Sequence, residues 1–201
     1  MDLLEAIKSR RSMGLVKEEP VPEDVINQIL EAGNWAPSHF RTEPWRFFVL
    51  RGEGRRPLGR ILAEIAAESM DEPSSETSQK KLEKTLEKPF RAPLVITVAV
   101  QPTEDNPKVI DVEEYGAVYA AIQNMLLAAH GLGLAGIWRT GKPAYHPKMK
   151  DLFGLTDKGE ILGFLYLGYP KREAPPGKRK ELTNCVKWLT DEKDYENLSS
   201  R

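Results

Sequence analysis

The stretch from Val112 to His130 constrains this chain more than any other. Tyr115, Val118, Tyr119, Ile122, Met125, Leu126 and Ala129 form a wide apolar stripe at helical spacing. Ala117, Ala120, Ala121 and Ala128 fill most of the remaining circumference. A helix that is apolar nearly all round must be enclosed, so the pattern predicts a sheet on one side and a partner subunit on the other. Gln123, Asn124 and His130 interrupt the run, which falls short of a membrane span. The sheet is anchored by Leu94-Val95-Ile96-Thr97-Val98-Ala99-Val100, a β-branched run that predicts a central strand buried on both faces.

Other elements follow from spacing and punctuation. Asp2 and Glu5 have the form of a capping box ahead of Leu3, Leu4 and Ile7, predicting a first helix to about Arg11. After Pro20 and Pro22, the residues Val25, Ile26, Ile29 and Leu30 predict a second helix ending at Gly33. Ala36 to Pro44 reads as a loop, Trp45 to Leu50 as a short, rather buried strand, and Leu58, Ile61, Leu62 and Ile65 as a third helix reaching toward Met70. Residues 71–88 are charged and poor in apolar groups, and read as a mobile, partly helical segment over the domain. Ala135 to Trp138 and Ile161 to Leu167 are further strands, with a short helix at Met149 to Phe153. The tail, residues 170–201, is rich in Pro, Lys and Glu, has Trp188 as its one large anchor, and is expected to pack on a neighbouring subunit. With 201 residues and 40% hydrophobic composition, one domain spanning 1–201 is expected, of class α+β with a mixed central β-sheet flanked by helices.

Several functional classes are excluded at this level. Lys+Arg number 29 against Asp+Glu 30, so no net field draws the chain to nucleic acid or to an anionic membrane. Cys185 is the single cysteine, which excludes an internal disulfide and a cysteine-rich metal site, fits a reducing compartment, and reads as a passive thiol. Met1 to Ser12 has no apolar core of signal-peptide length, and a cytoplasmic location is expected. His39, His130 and His146 make no ligand pair, so no metal is expected, and there is no G-x-S-x-G elbow. Gly131-Leu132-Gly133-Leu134-Ala135-Gly136 matches a dinucleotide fingerprint by letter, but it follows a helix and enters a strand, the reverse of what phosphate binding at a helix N-terminus requires. A helix C-cap with Gly131 or Gly133 at positive φ explains it better. Gly136 to Lys142 has P-loop spacing, but Pro143 stands where a magnesium-binding hydroxyl belongs.

Three short segments carry the positive inference. Arg10-Arg11-Ser12 could clamp an anion, or could simply be solvated charges complementing the end of the first helix. Trp138-Arg139-Thr140 presents an arginine and a hydroxyl at the end of an apolar strand, with the same two readings. With Ala36-Pro37-Ser38-His39 leading to Glu43-Pro44-Trp45, and with Gly136-Ile137-Trp138-Arg139 and Gly163-Phe164-Leu165-Tyr166-Leu167-Gly168, the chain resembles the nitroreductase family over nearly its whole length. The likeness is to its small, compact NAD(P)H-dependent branch.

That resemblance implies an intertwined homodimer with two FMN sites at the interface. Arg10 and Arg139 would hold the FMN phosphate, with Arg11 and Ser12 bonding phosphate, ribityl or ring edge. The loop with Trp35, Pro37, Ser38 and His39 would come from the partner subunit toward the isoalloxazine, while Trp138 and Thr140 contribute from the first. The turn Ala128, Ala129, His130, Gly131, Leu132 and Gly133 is where a nicotinamide nucleotide would lie. No side-chain acid or nucleophile is implied, because the flavin carries the chemistry. The activity implied is reduction of electron-poor small molecules, such as nitroaromatics or quinones, by NADH or NADPH in a ping-pong hydride mechanism. Arg41 and Glu43 depart from the Asn and Gln of many family members, and Arg41 is a candidate for attracting an anionic substrate or the phosphate of NADPH. Alternatives are a dehalogenase or another flavin reaction on the same fold, an FMN-binding or regulatory module without turnover, and a structural domain with no cofactor.

Overall fold

β2 (Leu94–Val100) is buried at every position, and its side chains divide by period two between two apolar layers. Leu94, Ile96, Val98 and Val100 join one cluster with Ile26, Ile29, Val118 and Met125; Val95 and Ala99 join a second with Leu58, Leu62, Met149 and Phe164. The computed structural model describes residues 1–103, 106–196 and 198. Its order is α1 (Leu3–Ser9), α2 (Glu23–Asn34), β1 (Trp45–Arg51), α3 (Arg56–Glu68), α4 (Glu76–Leu86), β2, α5 (Asp111–Gly131), β3 (Ala135–Arg139), α6 (Pro147–Leu152), β4 (Glu160–Gly168) and α7 (Lys193–Glu196). The sheet runs β1-β2-β4-β3, so α2 and α5 cover one face and α3 and α6 the other.

The α+β class holds. Among the described residues all three strand pairings are antiparallel, and the isolated Ser12–Gly136 bridge, outside the four strands, is parallel. That bridge lays the segment after α1 along edge strand β3, where Met13 N–H donates to the Gly136 carbonyl at 2.9 Å. Val16 bridges Pro170 farther on. The first helix stops at Ser9, two residues before the predicted Arg11, because residues 10–14 are drawn out along the sheet.

α5 forms as its pattern predicts, with Val118, Ala121, Ile122 and Met125 fully buried against α2 and the sheet. Ile110, Val112 and Tyr119 remain exposed, so the enclosure within one protomer is incomplete. Within 71–88, the predicted mobile segment, residues 76–86 form the helix α4, capped by Ser75 accepting from Ser78 N–H. α4 rests on α3 so closely that a Cβ at Gly59 would run into the Leu86 carbonyl. Few apolar residues were visible there because backbone proximity, not side-chain burial, makes the contact. The tail meets its own chain at Leu15, whose carbonyl accepts from Lys171 N–H at 3.2 Å, and at Arg11, but residues 171–190 are exposed throughout and Trp188 is 84% exposed.

Candidate functional site

The parallel bridge sets Ser12 and Met13 beside β3 and so puts the Arg10-Arg11-Ser12 turn near Arg139. Arg139 ends β3 on the α3 side of the sheet, its guanidinium 5.3 Å from the Tyr166 ring centroid. A Cβ at Gly14 would stand 3.3 Å from Arg139 Nη2, so this glycine leaves the arginine its space. Beside Arg139 lies a cavity of about 200 Å³ lined by Lys88, Arg91, Thr140 and Tyr166 as well. No acidic side chain is among its described lining residues. Burial pushes the Lys88 ammonium below its usual proton affinity, with Arg91 and Arg139 adding like-charge repulsion. Burial raises the Tyr166 hydroxyl, against the pull of Arg139 and Arg91.

Arg10 and Arg11 form a second cationic group at the end of α1. Arg11 Nη1 donates to the carbonyls of Lys8 and Arg10, both at 2.7 Å, and Gly177 of the tail packs against its guanidinium. Burial first, then Arg11 and Arg179, lowers the Arg10 pKa from its ordinary value. His130 stands behind them, 2.8 Å from Ser9 Oγ; burial lowers its pKa, and Arg10 and Arg11 lower it further. Segment 12–14 runs between this group and Arg139. Among the described residues, two arginine N–H groups are buried without an acceptor, Arg11 Nε and Arg139 Nε. Buried donors are nearly always satisfied, so each of these two groups calls for an explanation.

A larger cavity of about 640 Å³ opens on the other side of Arg91, lined by Lys17, Val21, Arg51, Arg55 and Phe90. Its arginines are committed, Arg51 to Glu23 at 2.8 Å and Arg55 to the carbonyls of Ala92 and Gly52. Arg91 lines both cavities, and the smaller one adds Lys88 and Arg139 to it.

Trp138 points to the opposite sheet face, where its indole N–H donates to the Leu162 carbonyl at 3.0 Å and its ring meets Tyr119 at 5.8 Å. Thr140 is exposed beside the cavity. Trp35 is 78% exposed and donates to Glu31 Oε1 at 2.6 Å, Pro37 is exposed, and Ser38 Oγ lies 3.0 Å from Thr42 Oγ1. His39 stacks on Phe40 with centroids 4.0 Å apart and pairs with Glu113 at 2.6 Å. Arg41 is exposed at φ 56°. This loop precedes β1, at the opposite edge of the sheet from β3. Among the described residues no hydrogen bond, ion pair or ring contact joins loop 35–43 to Arg10, Arg11, Ser12 or residues 138–140.

Ala128 to Gly133 form the C-terminal cap of α5: Leu132 N–H reaches the Ala128 carbonyl at 2.9 Å, and Gly133 N–H reaches that of His130 at 3.0 Å. Gly133, at φ 84°, is the residue that needs positive φ, and Ala129 is buried. Sequence reasoning missed Lys88 and Arg91, which sit in a charged run that reads as a solvated face. It also missed Glu113 and Glu114, which read as ordinary acidic residues at a helix start. Only the placement of Lys88 and Arg91 immediately before the buried strand β2 could have flagged the first pair. Among the described residues no group of His, Cys, Asp or Glu could hold a metal, and no helix is long and apolar enough to cross a membrane.

Comparison with known proteins identifies the family to which this fold belongs. The chain is 39% identical over 87% of its length to the protein named "Putative NAD(P)H nitroreductase YdjA" from Escherichia coli K12, covering 91% of that protein. It superposes with a TM-score of 0.78 at 26% identity on a nitroreductase-like family protein from Bacillus cereus, covering 95% of this chain and 97% of that one. A nitroreductase structure from Desulfovibrio desulfuricans in complex with FMN gives a TM-score of 0.69 at 26% identity, covering 92% and 95% of the two chains. The model of the nitroreductase family matches residues 7–169. From the Arg10-Arg11-Ser12 turn through the whole four-stranded sheet, this chain belongs to the nitroreductase family.

Proposed function

We propose that the protein is an FMN-dependent oxidoreductase that takes reducing equivalents from NADH or NADPH and delivers them to electron-poor small molecules. The observation that carries this reading is the pair of buried, unpartnered N–H groups, Arg11 Nε and Arg139 Nε, on the two segments that the Ser12–Gly136 bridge joins. A phosphate monoester is a compact dianion that takes several charge-assisted hydrogen bonds, and arginine forks match its geometry. The clustered charges of Arg10, Arg11 and Arg179, and of Lys88, Arg91 and Arg139, repel one another until an anion arrives. The residues present therefore fit the phosphate end of FMN, with Ser12 and Thr140 as hydroxyl donors. When bound, FMN supplies the two-electron chemistry that no side chain here provides. The chain's own residues would bind and orient it, with Leu62 and Phe164 as apolar walls of the cationic cavity.

The site is completed by a second copy of the chain. Trp35, Pro37, Ser38 and His39 lie at the β1 edge and the arginines at the β3 edge, so one protomer cannot offer both halves to one ligand. The exposed apolar residues Val112, Tyr119, Trp35 and Trp188 supply surface for such a contact. We place the tail from residue 170 on the partner for the same reason. The Ala128 to Gly133 turn is the assigned neighbourhood of the nicotinamide nucleotide, and Arg41, exposed and unpaired among the described residues, is assigned to its 2′-phosphate or to an anionic acceptor.

Initial rates with NADH or NADPH and a nitroaromatic or quinone acceptor test the activity. The reading predicts FMN-dependent turnover with parallel double-reciprocal lines. Bound FMN that neither NADH nor NADPH reduces would assign the chain a binding role instead.

A further inference from the structure

The loop between α2 and β1 is held in a conformation that its residues disfavour. Phe40, Arg41 and Glu43 have φ of 57°, 56° and 47°. Left-handed backbone is disfavoured for a residue that bears a side chain and persists only where the surroundings determine it.

Two consecutive carboxylates on the first turn of α5 do so. Glu114 is 1% exposed and accepts hydrogen bonds from Thr42 Oγ1 and from Thr103 N–H, the latter at 3.2 Å. A carboxylate taken out of water needs such donors, and its place at a helix N-terminus adds the favourable end of the dipole. The Thr42 hydroxyl has one hydrogen, which goes to Glu114, so Ser38 Oγ donates to Thr42 across 3.0 Å. Ser38 Oγ in turn accepts from Glu43 N–H at 3.0 Å. A chain of hydrogen bonds thus runs from a core carboxylate to both ends of the strained turn. The neighbouring Glu113 accepts from His39 Nδ1 at 2.6 Å. Since a carboxylate only accepts, Nδ1 carries the hydrogen and Nε2 is left as the outward ring atom.

We propose that Glu113 and Glu114 are a positioning pair: Glu114 latches the 38–43 loop to α5 through Thr42, and Glu113 fixes the ring of His39. Together they set how far and at what angle this protomer's His39 reaches toward the flavin held on its partner. The proposal rests on the reading above that His39 meets that flavin.

The test uses the full chain, stripped of flavin and titrated with FMN. Amide exchange of residues 39–43 and the visible spectrum of bound flavin are recorded alongside. Glu114→Gln and Thr42→Val should each weaken FMN binding about tenfold, the weight of one charge-assisted hydrogen bond. Both should speed exchange in the loop, and the double variant should be no worse than the more damaging single one. Glu113→Gln should move the flavin band as His39→Ala does, and combining them should add nothing. Unchanged loop exchange in Glu114→Gln, or additive losses in either cycle, overturns the pair. If Glu114→Gln does not fold, Thr42→Val, which removes the loop end of the same bond, decides by the same criterion. Weakened binding in His39→Ala with wild-type behaviour in Glu113→Gln and Glu114→Gln overturns the positioning pair and leaves the His39 reading standing. Wild-type affinity and spectrum in His39→Ala remove that reading and this proposal with it.

Discussion

Arg139 holds a buried Nε–H with no acceptor, packs over Tyr166, and shares its cavity with two more cations. Removing it should therefore hurt binding more than folding. Arg139→Ala is expected to lower FMN affinity about tenfold to a hundredfold, the loss of one or two charge-assisted bonds, with little change in thermal unfolding of the apo-protein. Fluorescence titration and a melting curve check the two halves separately. Thr97 is the contrasting case. Its hydroxyl lies in the middle of β2, fully buried and without a partner, and no charge or cavity gives it a ligand. Thr97→Val exchanges an unsatisfied polar atom for a methyl group of nearly the same size. It should leave stability unchanged or raise it by about 1 kcal/mol in denaturant unfolding. The role proposed for Arg41 is tested in the same way: Arg41→Ala should narrow any preference for NADPH over NADH in kcat/KM, and an unchanged ratio would remove that assignment.

At the scale of elements, the joint between α1 and α5 carries a pH dependence. His130 has a folded pKa below its ordinary 6.5, because burial and then Arg10 and Arg11 oppose its protonation. The unfolded chain therefore binds the proton more readily. Stability is full above 6.5 and falls as pH drops through that value toward the lowered folded one. His130→Gln should flatten that part of the apo-protein's stability curve between pH 7.5 and pH 5, values bracketing about 6.5, as measured by unfolding at a series of pH values. The same joint shows what sequence can and cannot reveal. β2 and α5 were legible because burial on both faces of a strand, and nearly all round a helix, leaves a run of apolar residues that no loop would carry. Arg10, Ser12, His39 and Arg139 were singled out as a set by family resemblance. Their division between opposite sheet edges was not, because strand order is decided by pairing and leaves no mark in local pattern. Lys88 and Arg91 were hidden among neighbouring charges. The left-handed turn at Phe40, Arg41 and Glu43 was hidden because no glycine announces it; its cause lies in Glu114, far along the chain.

At the scale of the whole molecule, the fold puts loop 35–43 and Arg139 at opposite edges of the sheet, and the proposed site needs both. The tail reinforces this, since residues 171–190 are exposed along their whole length and include Leu182, Trp188 and Leu189. Truncation after Pro170 should shift the protein from dimer to monomer in sedimentation and abolish stable FMN retention, while leaving the four-stranded sheet folded by circular dichroism. A truncated chain that stays dimeric with FMN bound would give the tail another role. The central claim is tested most directly by the visible absorption spectrum of the purified full-length protein after FMN is added and unbound flavin is removed, with the flavin identified after denaturation. A flavin spectrum at one FMN per protomer is the predicted result. A folded dimer that retains no FMN would contradict the cofactor assignment and the proposed chemistry together.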